Sequence, residues 1–228
     1  MAESSIILVH GSFFSSWTWI PVIERLNLHD VDVTAIELPL TSLADDAVVL
    51  REAIATASKV GPVTVVCHSY TGITAAVAGH GAQHIVHIAA RMPAIGESQL
   101  ELNKDWGNPE FRSCFEFAED GTMSLTDDAD AYLFNRSPHS LTRYAMGNRR
   151  SMKSEIPSSP IENPAWKTMK SSYLTCTDDK AVRLEQQRMR AEWADYSIEI
   201  DCDHSPFFSA PKQTADFILE THIAAAGN

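Results

Sequence analysis

Short apolar runs rich in β-branched residues recur along the chain at Ser5–His10, Val33–Leu38, Val63–Cys67, His84–Ala89, Ser172–Cys176 and Ser197–Ile200. Runs of this length and character are those of strands buried on both faces. Between them, Ser16–Leu28, Ser42–Ser58, Gly72–Ala78, Val182–Ala194 and Pro211–Ala225 carry apolar residues at helical spacing. Strands alternating with helices predict an α/β fold, with a mostly parallel sheet of about six strands and helices on both faces. One stretch breaks the alternation. Arg91 to about Trp166 is rich in Pro, Asn, Ser and charge, with short helical pieces at Asp128–Phe134 and Ser140–Gly147. We therefore expect a single domain over residues 1–228, its core formed by 1–90 and 167–228 and interrupted by a small helical cap at about 91–166. Ligands of a doubly wound sheet gather at the carboxyl ends of its strands, so an insertion after the fourth run lies over that rim.

Composition narrows the partners. The chain has 228 residues, 44% hydrophobic and 21% charged, enough for one large core. A net charge of −12 with no basic run argues against nucleic acid and anionic membranes, which require clustered Lys and Arg. The opening MAESSIILVHGS has no basic n-region, and no later segment approaches the roughly 20 apolar residues of a membrane span, so a soluble, cytoplasmic protein is expected. Cys67, Cys114, Cys176 and Cys202 are scattered without a CxxC pair, which favours reduced thiols over disulfides or zinc. His80, His84 and His87 are close in sequence, but Gly79 and Gly81 would break a shared helix and "HIVHIAA" reads as strand. We expect no metal and no cofactor, and leave a homodimer open.

Chemistry concentrates where strands end. In "TVVCHSYTGITA" a buried strand stops at Cys67 and a helix begins near Thr71, leaving Ser69 at a strand-to-helix turn. Small residues flanking a serine there let it adopt a strained backbone and lift its hydroxyl above the sheet, as in the G-x-S-x-G elbow. Here the flanks are Cys67 and Thr71, with Gly72 following. A serine nucleophile needs a base, and the base an orienting acid. "TCTDDKAV" sets Asp178 and Asp179 at the end of the Ser172–Cys176 strand, and "IDCDHSPFF" sets His204 after the next. After the first strand, His10-Gly11-Ser12 brings backbone N–H groups close to a substrate oxygen. The N–H groups of Ser12 and Tyr70 are the expected oxyanion hole. Gly11, Phe13, Phe14 and Trp17 are expected near the substrate, with the aromatic rings pointing to an apolar acyl or aryl group.

From "IILVHGS" through "VVCHSYTG" to "CTDDKAV" and "DHSPF", the chain resembles the α/β-hydrolase superfamily along nearly its whole length. The nearest group is similar to small bacterial esterase-like members related to plant methylesterases and hydroxynitrile lyases, a likeness that extends to "LPLTSLADD" and "MPAIGES". The resemblance implies a Ser69–His204–Asp179 triad, an oxyanion hole from Ser12 and Tyr70, no cofactor, and a pocket beneath a lid. It favours Asp179 over Asp178 because related motifs place the acid before a basic or polar residue and an apolar pair, here Lys180-Ala181-Val182. Hydrolysis of a small carboxylic ester leads. A cyanohydrin lyase and a non-catalytic or slow small-molecule receptor are the rivals. Related lyases carry a threonine after the first-strand histidine and a lysine after the catalytic one, where this chain has Gly11 and Ser205.

Overall fold

The apolar runs pair into a sheet in the computed structural model, which describes residues 4–155 and 157–226. In chain order the strands are β1 (Ser5–Val9), β2 (Asp32–Ile36), β3 (Val63–His68), β4 (His84–Ile88), β5 (Phe115–Phe117), β6 (Thr122–Leu125), β7 (Met152–Lys153), β8 (Lys170–Cys176) and β9 (Tyr196–Ile200). Six of them form one sheet in the order β2-β1-β3-β4-β8-β9, every neighbouring pair parallel. This is the predicted α/β-hydrolase architecture. Strands β1, β3 and β4 are buried along their whole length. Side chains alternate between faces, so Ile7, Val65 and Ile85 pack with Leu50 and Ile54 on one side, while Leu8, Val66, Val86 and Leu174 pack with Trp19 and Phe217 on the other. The outer strands β2 and β9 keep Asp32 and Glu199 exposed, as edges do.

Local chemistry sets the helix ends. Helix Leu43–Ala57 starts where the Ser42 hydroxyl accepts the N–H of Asp45. The expected helix Ser16–Leu28 divides into a 3-10 turn, Ser16–Trp19, and an α-helix, Ile20–Leu26, because Pro21 has no N–H to continue the first turn and fits only at a helix start. The expected helix from Val182 begins instead at Leu184, since the N–H groups of Ala181 and Val182 are both given to the Asp179 carboxylate.

Between β4 and β8 the segment has more than the helices expected of it. Helices Gln99–Trp106, Pro109–Arg112, Asp130–Leu133 and His139–Gly147 are joined by an antiparallel sheet β5-β6-β7. These strands are too short for alternation to register, and β7 pairs with a strand far behind it in sequence. Gly121, at φ +76°, turns the chain between β5 and β6. The four cysteines are buried free thiols, and no helix among the described residues is long and apolar enough to cross a membrane.

Candidate active site

Ser69 follows β3 directly and holds φ +55°, a left-handed conformation that non-glycine residues rarely adopt. The turn is over-determined by its neighbours. Ser69 N–H donates to Ile88 O at 3.2 Å and Ser69 O accepts Arg91 N–H at 2.9 Å. The Thr71 hydroxyl accepts His68 N–H and is buried against Val9, so position 71 carries a small side chain with a polar use. Gly72 is dictated by packing: a Cβ there would sit 2.2 Å from the Arg91 carbonyl oxygen. Gly11 has a similar reason, since a Cβ would lie 2.7 Å from His68 Nδ1 and 3.3 Å from Ser69 Cβ.

The ends of β3, β8 and β9 bring three side chains into line. Ser69 Oγ is 3.0 Å from His204 Nε2, and His204 Nδ1 is 2.7 Å from Asp179 Oδ2. Asp179 Oδ1 accepts the N–H groups of Ala181 and Val182, and Oδ2 also accepts Gln187 Nε2–H at 2.9 Å. Gln187 is fully buried and its Oε1 accepts the N–H of Cys176, so it holds the carboxylate from behind. Asp178 points elsewhere, pairing with Lys180 and Arg136 and accepting from Asn135. Asp203, buried beside His204, accepts from Arg136 N–H, Ser205 N–H and the hydroxyls of Ser137 and Ser209.

Two further histidines brace the site. Leu38 N–H donates to His10 Nε2, so the His10 proton is on Nδ1, which donates to Gly11 O at 2.8 Å. His68 Nε2–H donates to the His204 carbonyl at 2.7 Å. Burial, aided by the nearby His204, holds the His68 imidazole well below its ordinary pKa, and burial lowers His10 too, so both stay neutral. The Tyr70 hydroxyl donates to Asp46 Oδ2 at 2.8 Å, away from the cavity; burial raises both groups above their ordinary values. The backbone N–H groups of Ser12 and Tyr70 donate no hydrogen bond among the described residues.

Ser69 and His204 open onto a cavity of about 370 Å³, whose other walls include Ser12, Phe13, Phe14 and, from the segment between β4 and β8, Phe111, Phe115 and Met152. Not every sequence-predicted residue reaches it. Gly11 lies behind the wall, against His68. Trp17 is packed on Phe208, Phe14 and Tyr144 and does not line the cavity. Sequence reasoning missed Gln187, Asp203 and Arg91. Only Arg91 left a trace, a cation just past the carboxyl end of β4.

The chain belongs to the α/β-hydrolase family: the profile described as "Alpha/beta hydrolase family" matches residues 6–217. Among curated relatives, Methylesterase 7 of Arabidopsis thaliana is 27% identical, with 96% of each chain covered. The "Alpha/beta hydrolase nvfD" of Aspergillus novofumigatus is also 27% identical, covering all of this chain and 98% of its own. Among solved structures, polyneuridine aldehyde esterase superposes with a TM-score of 0.85 at 20% identity, over 96% of this chain and 99% of that one.

Proposed function

We propose that the protein is a carboxylic ester hydrolase that works through an acyl-enzyme at Ser69. The observation that carries this reading is the unbroken line from Ser69 Oγ through His204 to Asp179, with Ser69 and His204 in the lining of the cavity. In the mechanism the Ser69 oxygen attacks the ester carbonyl while its proton passes to His204 Nε2. Asp179 keeps the other ring proton on Nδ1 and stabilises the imidazolium that forms. The negative charge of the tetrahedral intermediate falls to the free N–H groups of Ser12 and Tyr70. His204 then returns its proton to the departing alcohol oxygen, and a water activated by the same imidazole releases the acid.

Gly11 and Ser205 support hydrolysis over cyanohydrin cleavage. Gly11 brings no hydroxyl to hold a cyanohydrin, and the neutral Ser205 offers no cation to a departing cyanide. The methylesterase relatives make a methyl ester the first substrate to try. Segment 91–166 acts as the lid in this reading. It reaches the Asp179 loop through Asn108, whose N–H donates to Ala181 O at 2.8 Å, and the first-strand loop through Arg150, whose N–H donates to Phe13 O. The test is labelling by a fluorophosphonate followed by peptide mapping, with hydrolysis of a p-nitrophenyl and methyl ester panel. Label at Ser69 and loss of turnover in Ser69→Ala are expected; label elsewhere, or mandelonitrile cleavage without ester hydrolysis, would sink the proposal.

A further inference from the structure

The cavity above Ser69 is not uniformly apolar. Besides the phenylalanines it is lined by Arg91, Gln99, Asn103, Trp106 and Arg112. Several polar atoms here have no partner. Arg91 Nε, Gln99 Oε1, Asn103 Oδ1 and Trp106 Nε1 are all buried without a hydrogen bond among the described residues, and Gln99 and Trp106 are 5% and 1% exposed. Buried polar groups are ordinarily satisfied, so four unpaired atoms on residues that line one cavity are a cost the fold carries there.

The charge on this wall points the same way. No carboxylate pairs with the Arg91 guanidinium among the described residues, although its backbone is fixed beside the nucleophile turn by the hydrogen bond from Arg91 N–H to Ser69 O. Burial pulls its pKa down to about 10 and the Arg112 charge acts in the same direction, so Arg91 is still a cation at neutral pH. Arg112, though exposed, carries a second positive charge along the lining. It donates to the carbonyls of Asn103 and Lys104 and has no acidic partner among the described residues. The remaining charged lining residues, Lys153 and Glu155, are exposed, with Lys153 Nζ donating to Asp120 O.

We propose that the Arg91 side of the cavity is a subsite for a carboxylate carried by the substrate, so that the ester cleaved at Ser69 belongs to a molecule that keeps a second, free acid group. A planar guanidinium matches a carboxylate with two parallel hydrogen bonds. The Trp106 indole N–H and the amide NH₂ groups of Gln99 and Asn103 supply neutral donors around it. Half a turn of either amide exchanges its oxygen and nitrogen, so an acidic group or a neighbouring hydroxyl can be met equally. The phenylalanine wall takes the apolar spacer between acid and ester. The proposal rests on the ester-hydrolase reading for the ester's position at Ser69, but not for the anion's position at Arg91.

The experiment compares kcat/KM for monomethyl adipate and methyl hexanoate, two methyl esters of equal acyl length, by titrating released acid. The expected preference for the acid-bearing ester is about tenfold or more, the size of one charge-assisted contact. Arg91→Gln should bring the ratio close to one. Trp106→Phe, which removes a single N–H, should lower it about fivefold, and stands in if Arg91→Gln fails to fold. A parent ratio at or below one, or a ratio unmoved by both variants, overturns the subsite. Calorimetry with adipate separates the two readings. Adipate binding weakened about tenfold by Arg91→Gln or about fivefold by Trp106→Phe, with neither ester turned over and no fluorophosphonate label, keeps the subsite and discards the hydrolase. Ester turnover without adipate binding does the reverse.

Discussion

Two adjacent carboxylates, Asp178 and Asp179, differ only in what surrounds them. Asp179 is fully buried, takes two backbone N–H groups and Gln187, and faces His204; Asp178 is a third exposed and bonded to Lys180 and Asn135. Asp179→Asn is expected to lower kcat by roughly 10³- to 10⁴-fold, because an amide at that place leaves the imidazole in the wrong tautomer. Asp178→Asn removes surface pairs of small worth, and kcat should stay within about threefold of the parent. A much larger loss in Asp178→Asn than in Asp179→Asn would reverse this assignment. At Gly72, alanine would put its Cβ 2.2 Å from a backbone oxygen that has nowhere flexible to go. We expect Gly72→Ala to cost about 1–3 kcal/mol in urea unfolding and to reduce turnover, since Arg91 and the Ser69 turn must part. An unchanged unfolding midpoint would contradict this.

The segment between β4 and β8 shapes the cavity while being tied to the core at separate places. Asn108 meets the Asp179 loop, and Arg150 reaches Glu37 and the carbonyls of Phe13, Phe14 and Leu38. Between those ties, Phe115 lies 5.7 Å from Phe13 and 5.1 Å from Phe111, ring centre to ring centre, and closes the apolar wall. Removing that ring should admit longer acyl chains. For Phe115→Ala, the ratio of kcat/KM for p-nitrophenyl octanoate over the acetate is expected to rise about tenfold, in line with what a few methylenes are worth in an apolar pocket. A ratio unchanged across the ester series would remove this segment from the substrate's surroundings.

At the scale of the whole molecule, histidines buried in neutral form set the acid limit of the fold. Burial lowers His87 to about 3, with a smaller push from His84, and lowers His84 to about 4; His10, His68 and His222 are depressed as well. A depressed histidine binds its proton more readily in the unfolded chain. Its contribution is therefore present above the ordinary value near 6.5 and is lost as pH falls from there toward the folded value. Stability measured by urea unfolding should decline from pH 7 to pH 4.5, each such histidine adding up to about 1.4 kcal/mol per pH unit. His87→Leu, which removes a ring stacked on Tyr173 and carrying an unpaired Nε2, should flatten that slope by about one proton. A stability independent of pH over this range would refute the account.

The amino-acid sequence determined the parallel sheet nearly residue for residue, because strands buried on both faces have to be continuous apolar runs and the turns between them need small or capping residues. It also singled out Ser69 and His204, which the fold brings to 3.0 Å of each other, since a serine with small neighbours between a buried strand and a helix is a local pattern. What it left to tertiary structure was everything set by partners remote in sequence. The pairing of β7 with β6 and the surroundings that set Asp179 apart from Asp178 each depend on which groups arrive from elsewhere to accept or donate a hydrogen bond. Trp17 shows the same limit. Its place in the chain suited a pocket wall, yet it packs half-buried against Tyr144 and Phe208, outside the cavity lining. Arg91 is the opposite case, an ordinary cation in sequence that becomes an unpaired buried charge only when helix Gln99–Trp106 and Arg112 assemble around the same cavity.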